Sequence, residues 1–112
     1  MRIIKTNHFL KQLKPFAKKY ARLPVDVSQE LRAFKKESAQ YLGAKLYKVR
    51  VKSSDMKKGK SGAFRLIILC VEIDDRLIPI VLYQKSNQED ITERELAYHL
   101  ACVNAELGTV TK

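Results

Sequence analysis

The chain is poor in the residues that build metal sites. It has two cysteines, Cys70 and Cys102, and two histidines, His8 and His99, in 112 residues. Cys70 lies in an apolar strand-like run and Cys102 in a helical one, so both read as small packing residues. The histidines fall in opposite terminal helices and read as surface or packing residues. No metal-ligand spacing results, and neither a metal nor any other cofactor is expected. Long apolar runs are missing too. The longest, Leu66 to Val71, is far below the roughly 20 residues that cross a bilayer. MRIIKTNHFL has no sustained apolar core of a secretion signal. These absences point to a cytoplasmic protein without membrane contact.

Acids are scarce in the first half. Residues 1–60 carry 17 Lys/Arg against 4 Asp/Glu, a balance of +13, whereas residues 61–112 balance at −3, giving the net +10. Such a basic surface attracts nucleic acid, an anionic membrane or an acidic protein. A length of 112 residues with 46% apolar content fits one domain over residues 1–112.

Arg2 to Thr6 is short and β-prone and reads as an edge strand. Thr6 or Asn7 can cap a helix whose apolar stripe is Phe9, Leu10, Leu13, Phe16, Ala17 and Tyr20. Pro15 is expected to kink or split that helix, and Leu23-Pro24 to end the segment. A second helix is expected from about Val25 to Glu37, with Val27, Leu31 and Phe34 inward and Gly43 as a break. In LYKVRVK the period changes to two. Tyr47, Val49 and Val51 point one way, and Lys48, Arg50 and Lys52 the other. Phe64 to Glu72 is almost wholly apolar, as in a central strand covered on both faces. Asp74-Asp75 is a tight turn, and Leu77 to Gln84 returns, with Pro79 marking an edge or a bulge. Thr92-x-x-Glu95 is a capping box for a last helix with Leu96, Leu100, Val103 and Leu107 as its stripe. The order β-α-α-β-β-β-α gives an α+β fold: an antiparallel sheet, a helical hairpin and a C-terminal helix.

The most unusual stretch is KKGKSGAFR, residues 57–65, with four cations and two glycines ahead of a buried strand. Its GKS is not a P-loop. The glycine required five residues before Gly59 is Ser54, and a strand follows where a helix would be needed. The acids Glu89, Asp90, Glu93 and Glu95 cluster at a helix start, which favours negative charge without any chemistry. What remains is cationic. Lys48, Arg50 and Lys52 share a strand face and Arg65 lies on the next strand. Lys57, Lys58 and Lys60 are in the loop, and Tyr83 and Lys85 close the last strand. Cations beside an aromatic suit single-stranded nucleic acid, charge tracking phosphates and the ring stacking on a base. A solvated basic face accounts for the alternating strand equally well.

The run from LYKVRV to LAYHL resembles RelE/ParE-superfamily toxins of type II toxin–antitoxin systems, most of all the HigB-like branch. YKVRV, the GKSG-x-x-R junction, LYQKS and QEDIT carry the resemblance, and FLKQLKPFAKKY extends it over nearly the whole chain. Ala63 stands where the loop usually has another glycine. The resemblance implies a RelE-like, microbial ribonuclease-like fold. It also implies an mRNA endonuclease that cuts in the ribosomal A site without metal and inhibits translation. A cognate antitoxin of helix-turn-helix, HigA-like type would neutralise it and connect it to operator DNA. By matching position, Lys48, Arg50 and Arg65 fall among the catalytic residues, with Lys52 and Lys60 as neighbours. The tyrosine that some members carry early in the last helix is replaced by Ile91 and Thr92, leaving that role absent or taken by Tyr83. No histidine ends the last strand, so the general base stays open. One candidate is Lys48 or Lys52, if crowding among cations lowers its pKa so that the neutral amine is available as base. Two other functions remain open: a non-catalytic RNA- or ribosome-binding module, and a ParE-like gyrase inhibitor.

Overall fold

The computed structural model describes residues 1–54, 64–85 and 90–111. Strand β1 (Arg2–Ile3) leads to α1 (Asn7–Lys19) and α2 (Leu23–Arg32). Strands β2 (Gln40–Gly43), β3 (Leu46–Val51), β4 (Phe64–Val71) and β5 (Arg76–Gln84) follow, and α3 (Glu93–Thr111) closes the order. The strands form one sheet in the order β1-β5-β4-β3-β2. Four of them are antiparallel, but β1 runs parallel to β5, so the sheet is mixed and not wholly antiparallel as expected.

The sequence pattern conceals one strand. β2 pairs with β3 through a turn in which Gly43, Ala44 and Lys45 have φ of 93°, 51° and 67°. Two-residue hairpins need positive φ at both central positions, usually signalled by Asn-Gly. Ala44-Lys45 carries no such signal, so Gly43 reads as a break when it in fact opens a hairpin.

Prolines behave differently from expectation. Pro15 does not split α1, which runs unbroken to Lys19. It sits on the exposed side, where a carbonyl deprived of its helical partner faces water. Pro24 lies in the first turn of α2, where no backbone donor is needed. That helix ends at Arg32, short of Glu37, and Lys36–Ser38 forms a separate 3-10 turn.

Both faces of the sheet are covered. α1 and α2 bury Phe9, Leu13, Val27 and Leu31 against Phe64, Leu66 and Val51 on one face. α3 lays Val103 against Ile67, Ile80 and Tyr83 on the other. β4 is thus the doubly buried strand its composition implies. Pro79 marks a bulge: the β4–β5 register shifts between Ile67 and Ile68. The edge alternative does not apply, because β5 lies between β4 and β1.

β1 covers only Arg76 and Leu77 of β5. Farther along, the Gln12 side chain of α1 stands in for a strand. Its Nε2 donates to Ile80 O at 2.9 Å, and its Oε1 accepts from Leu82 N at 3.1 Å. Gln12→Leu removes both partners and leaves two backbone groups of buried residues unsatisfied. The variant is expected to lose about 1–3 kcal/mol in urea unfolding; unchanged stability would show that water replaces the amide.

The last helix is tied to the first. Glu106 accepts from Asn7 N and His8 N at 2.8 Å each, supplementing the Thr6 hydroxyl that caps α1 through Phe9 N. His8 Nε2 and His99 Nδ1 meet at 2.7 Å, a pairing that sequence separation hides. One ring donates and the other must stay neutral to accept. Burial, then the neighbouring His8, pushes His99 below its ordinary value of 6.5. A depressed histidine stabilises the fold above its unfolded value, and that contribution fades as pH falls through 6.5 toward the folded one. Thermal unfolding is therefore expected to shift downward between neutral pH and pH ~5, and His99→Asn to flatten that dependence.

Candidate active site

The β3–β4 and β4–β5 registers align three residues. Arg50 on β3 is opposite Arg65 on β4, and Arg65 is opposite Tyr83 on β5. Directly opposed residues in antiparallel strands share a face, with Cβ atoms about 4.5–5.5 Å apart. Two arginines facing one another oppose folding, so this pairing is one that packing alone would not select. The like charges converge as the alternating pattern implied.

The three side chains differ in exposure. Arg65 is 9% exposed, and its guanidinium donates to Phe64 O at 3.2 Å. Arg50 is exposed and makes no hydrogen bond or ion pair with another described residue. Tyr83 is 5% exposed and belongs to the core under α3. Its phenol is pushed up to about 12, by burial first and then by the charge of Asp90, so it holds its proton at neutral pH.

Lys48 lies one step along the same face, opposite Ile67. Its Nζ is 3.4 Å from Asp90 Oδ1, the oxygen that also accepts from the Tyr83 hydroxyl at 3.2 Å. Ile91 N donates to that oxygen at 2.8 Å. This backbone donor, then the lysine charge and the phenol, holds the carboxyl below its ordinary range, so Asp90 is an anion. Thr92 follows at once as the cap of α3. Its Oγ1 accepts from Glu95 N at 3.1 Å, and Thr92 N donates to Glu95 Oε1 at 3.2 Å. The predicted capping box is formed, and it fixes the entry to α3 beside Asp90.

Asp90 is the site residue that sequence reasoning misses. Its place before a helix supplied a sufficient structural explanation, and no local signal distinguished it from Glu93 or Glu95. It also alters the expectation for Lys48, which meets a carboxylate instead of a ring of cations alone.

The other candidates lie around this row. Lys52 just follows β3 and is exposed. With Arg50 it borders a hollow of about 420 Å³ against the α2 residues Asp26, Gln29, Glu30 and Ala33. Asp26 is committed, accepting from Ser54 N at 2.8 Å and Ser54 Oγ at 2.5 Å. That bond anchors the end of β3 to α2. Lys85 follows β5 and is exposed. Lys57, Lys58 and Lys60 lie outside the described residues. Among the described residues, no cluster of three or more His, Cys, Asp or Glu could hold a metal, and no helix is long and apolar enough to cross a membrane.

Comparison with known proteins agrees with this architecture. The family described as the RelE toxin of the RelE/RelB toxin–antitoxin system matches residues 1–109. Among solved structures, a double mutant of the E. coli toxin RelE in the free state is similar in fold. The TM-score is 0.52 and the identity 13%, with 79% of this chain and 86% of that one covered. No curated protein sequence matches the chain.

Proposed function

The chain belongs to the RelE toxin family, and from that premise we propose that it is a ribosome-dependent mRNA endonuclease whose active site is the Arg50–Arg65–Tyr83 row with Lys48 and Asp90. The alignment of two arginines and a phenol on one face, beside an anionic carboxylate, carries this reading.

Cleavage without a cofactor uses the RNA's own 2′-hydroxyl. Its oxygen attacks the adjacent phosphorus, the P–O5′ bond breaks, and a 2′,3′-cyclic phosphate and a 5′-hydroxyl result. The Asp90 carboxylate takes the 2′-hydroxyl proton. Arg65 and Arg50 hold the non-bridging oxygens as charge builds in the transition state. A guanidinium suits this because it is always charged and presents a planar fork. Burial of Arg65 strengthens its field and removes the cost of reorienting water. Lys48 steadies Asp90 and adds positive charge. The Tyr83 hydroxyl gives its proton to the leaving 5′ oxygen, and the proton that Asp90 took from the 2′-hydroxyl restores the phenol along their hydrogen bond. Lys52, Lys57, Lys58, Lys60 and Lys85 hold flanking phosphates.

As a RelE-family toxin the chain is one half of a toxin–antitoxin pair. The partner in this reading is a HigA-like, helix-turn-helix antitoxin that also carries the complex to operator DNA in the cytoplasm. Mapping of transcript ends inside ribosomes after brief induction tests the proposal. New ends within the A-site codon support it, whereas growth arrest without such ends refutes it. Inhibition of gyrase supercoiling by the purified protein would assign the chain to the ParE-like activity instead.

A further inference from the structure

A second hollow, of about 410 Å³, lies at the far end of α3 from the arginine row. Arg2 of β1, Arg76 of β5 and Lys5 line it, together with Glu106, Ile4 and Leu107. Arg2 and Arg76 are register partners on adjacent parallel strands, so two cationic side chains leave the sheet side by side. Like charges so placed repel. The described residues offset them only in part. The Arg2 side chain makes no hydrogen bond or ion pair with another described residue. Arg76 gives one terminal nitrogen to Asp74 Oδ2 at 2.9 Å, but its Nε is buried with no partner among the described residues. A buried donor left unpaired is rare and calls for an acceptor. Glu106 already has both carboxylate oxygens engaged by the opening amides of α1. Lys5 keeps its charge while donating to the neutral Ser28 Oγ at 2.6 Å.

We propose that this hollow is a binding site for a phosphate monoester, separate from the scissile-phosphate site. The charge balance selects the class. Three cations and one carboxylate line the hollow, a balance of +2. A monoester carries roughly −1.5 to −2 at neutral pH, whereas a carboxylate or an internal phosphodiester of RNA carries a single charge. Guanidinium forks also match phosphate oxygens in pairs. Arg76 reaches such a ligand by turning from Asp74, whose side chain is 51% exposed, and a pair so open to water holds weakly. The phosphate oxygens then give Nε the acceptor it lacks. Ile4 and Leu107 suit the organic part of the ester, and the volume lies in the range of small-ligand sites, roughly 300–1,000 Å³. Arg76 opens β5 and Tyr83 lies seven residues on, so the two sites are roughly 20 Å apart. Binding here does not depend on the nuclease reading.

Titration of the ¹⁵N-labelled protein with 5′-AMP at neutral pH tests it, with 3′,5′-cyclic AMP as the diester of the same nucleoside. 5′-AMP is expected to shift the amides of Arg2, Ile4, Arg76 and Leu107. It is expected to bind there roughly tenfold or more tightly than the cyclic diester, the effect of one further charge between two cations. Arg2 is exposed and its side chain bonds to no other described residue, so Arg2→Gln leaves the fold intact. That variant is expected to lose the four shifts, while any at Arg50 and Arg65 persist. Absence of shifts at the four residues, equal affinity for the two esters, or unchanged binding by Arg2→Gln would overturn the site. Two RNA hexamers, one 5′-phosphorylated and one with a 5′-hydroxyl, identify the source. Tighter binding of the phosphorylated hexamer than of AMP points to an RNA end and equal binding to a free nucleotide, and both uphold the site. Equal shifts from the two hexamers would overturn it.

Discussion

Arg65→Ala is expected to lower message cleavage on programmed ribosomes by roughly 10²–10³-fold, the effect of removing one preorganised donor from a transition state. The magnitude follows from position. Arg65 stands on the doubly buried strand, between Arg50 and Tyr83, and is itself 9% exposed. A charge so fixed needs no reordering when the phosphate becomes more negative. Arg65→Lys retains the charge but loses the fork, so it is expected to recover only part of the rate. Because Arg65 is buried, its removal also alters packing. Arg50→Ala is the companion that separates chemistry from folding. Arg50 is exposed, makes no hydrogen bond or ion pair with another described residue, and is directly opposite a like charge. Its loss is expected to leave stability unchanged or slightly raised while still lowering cleavage. Full cleavage by both alanine variants would remove the arginine row from the chemistry.

Asp90→Asn is expected to cost about 10²-fold or more, the contribution of a positioned general base. Asparagine can still accept from Ile91 N, Lys48 and the Tyr83 hydroxyl, so the entry to α3 is preserved and only proton acceptance is lost. The carboxyl is held below the ordinary range by Ile91 N first, then by Lys48 and Tyr83. It therefore stays ionised throughout the pH range in which ribosomes remain intact, and no acid limb from this group is expected there. Tyr83→Phe provides the contrast. If Asp90 acts as base, losing the phenol alone is milder, about 10²-fold, the lower end for a single donor, against up to about 10⁴-fold for a positioned base. If Asp90 only orients the phenol, the two variants lose the same amount. Equal losses would transfer the base role to another group.

Much of the sheet and its row of cations was legible because period-two alternation depends on nothing distant. LYKVRVK displays its two faces directly, and the apolar tract after Arg65 announces a strand covered twice. Thr92 and Glu95 declare a cap within four residues. What was illegible depends on tertiary partners. The hairpin at Ala44-Lys45 has a backbone that its residues do not advertise. The parallel pairing of Arg2–Ile3 with Arg76–Leu77 crosses the whole chain. Pro15 is harmless because of which side of α1 faces water, a property of the packed molecule. Asp90 had a local explanation that was true and incomplete, because the capping turn that it precedes also brings it to Tyr83 and Lys48. The histidine pair fails for the same reason: residues 91 apart meet only when α1 and α3 are side by side.

The carboxylate at position 106 gives the molecule an order of completion. It satisfies the opening amides of α1 from 98 and 99 residues downstream, and β1 waits for residues 76 and 77 before it has a neighbour. β1 and the start of α1 are therefore fastened only after the segments that hold them, residues 76, 77 and 106, have been made. A nascent chain stopped short of residue 106 has its arginines but not the clasp that seats α3, nor the docked helix start that presents Asp90. The proposed site is thereby completed only once α3 has docked against the start of α1.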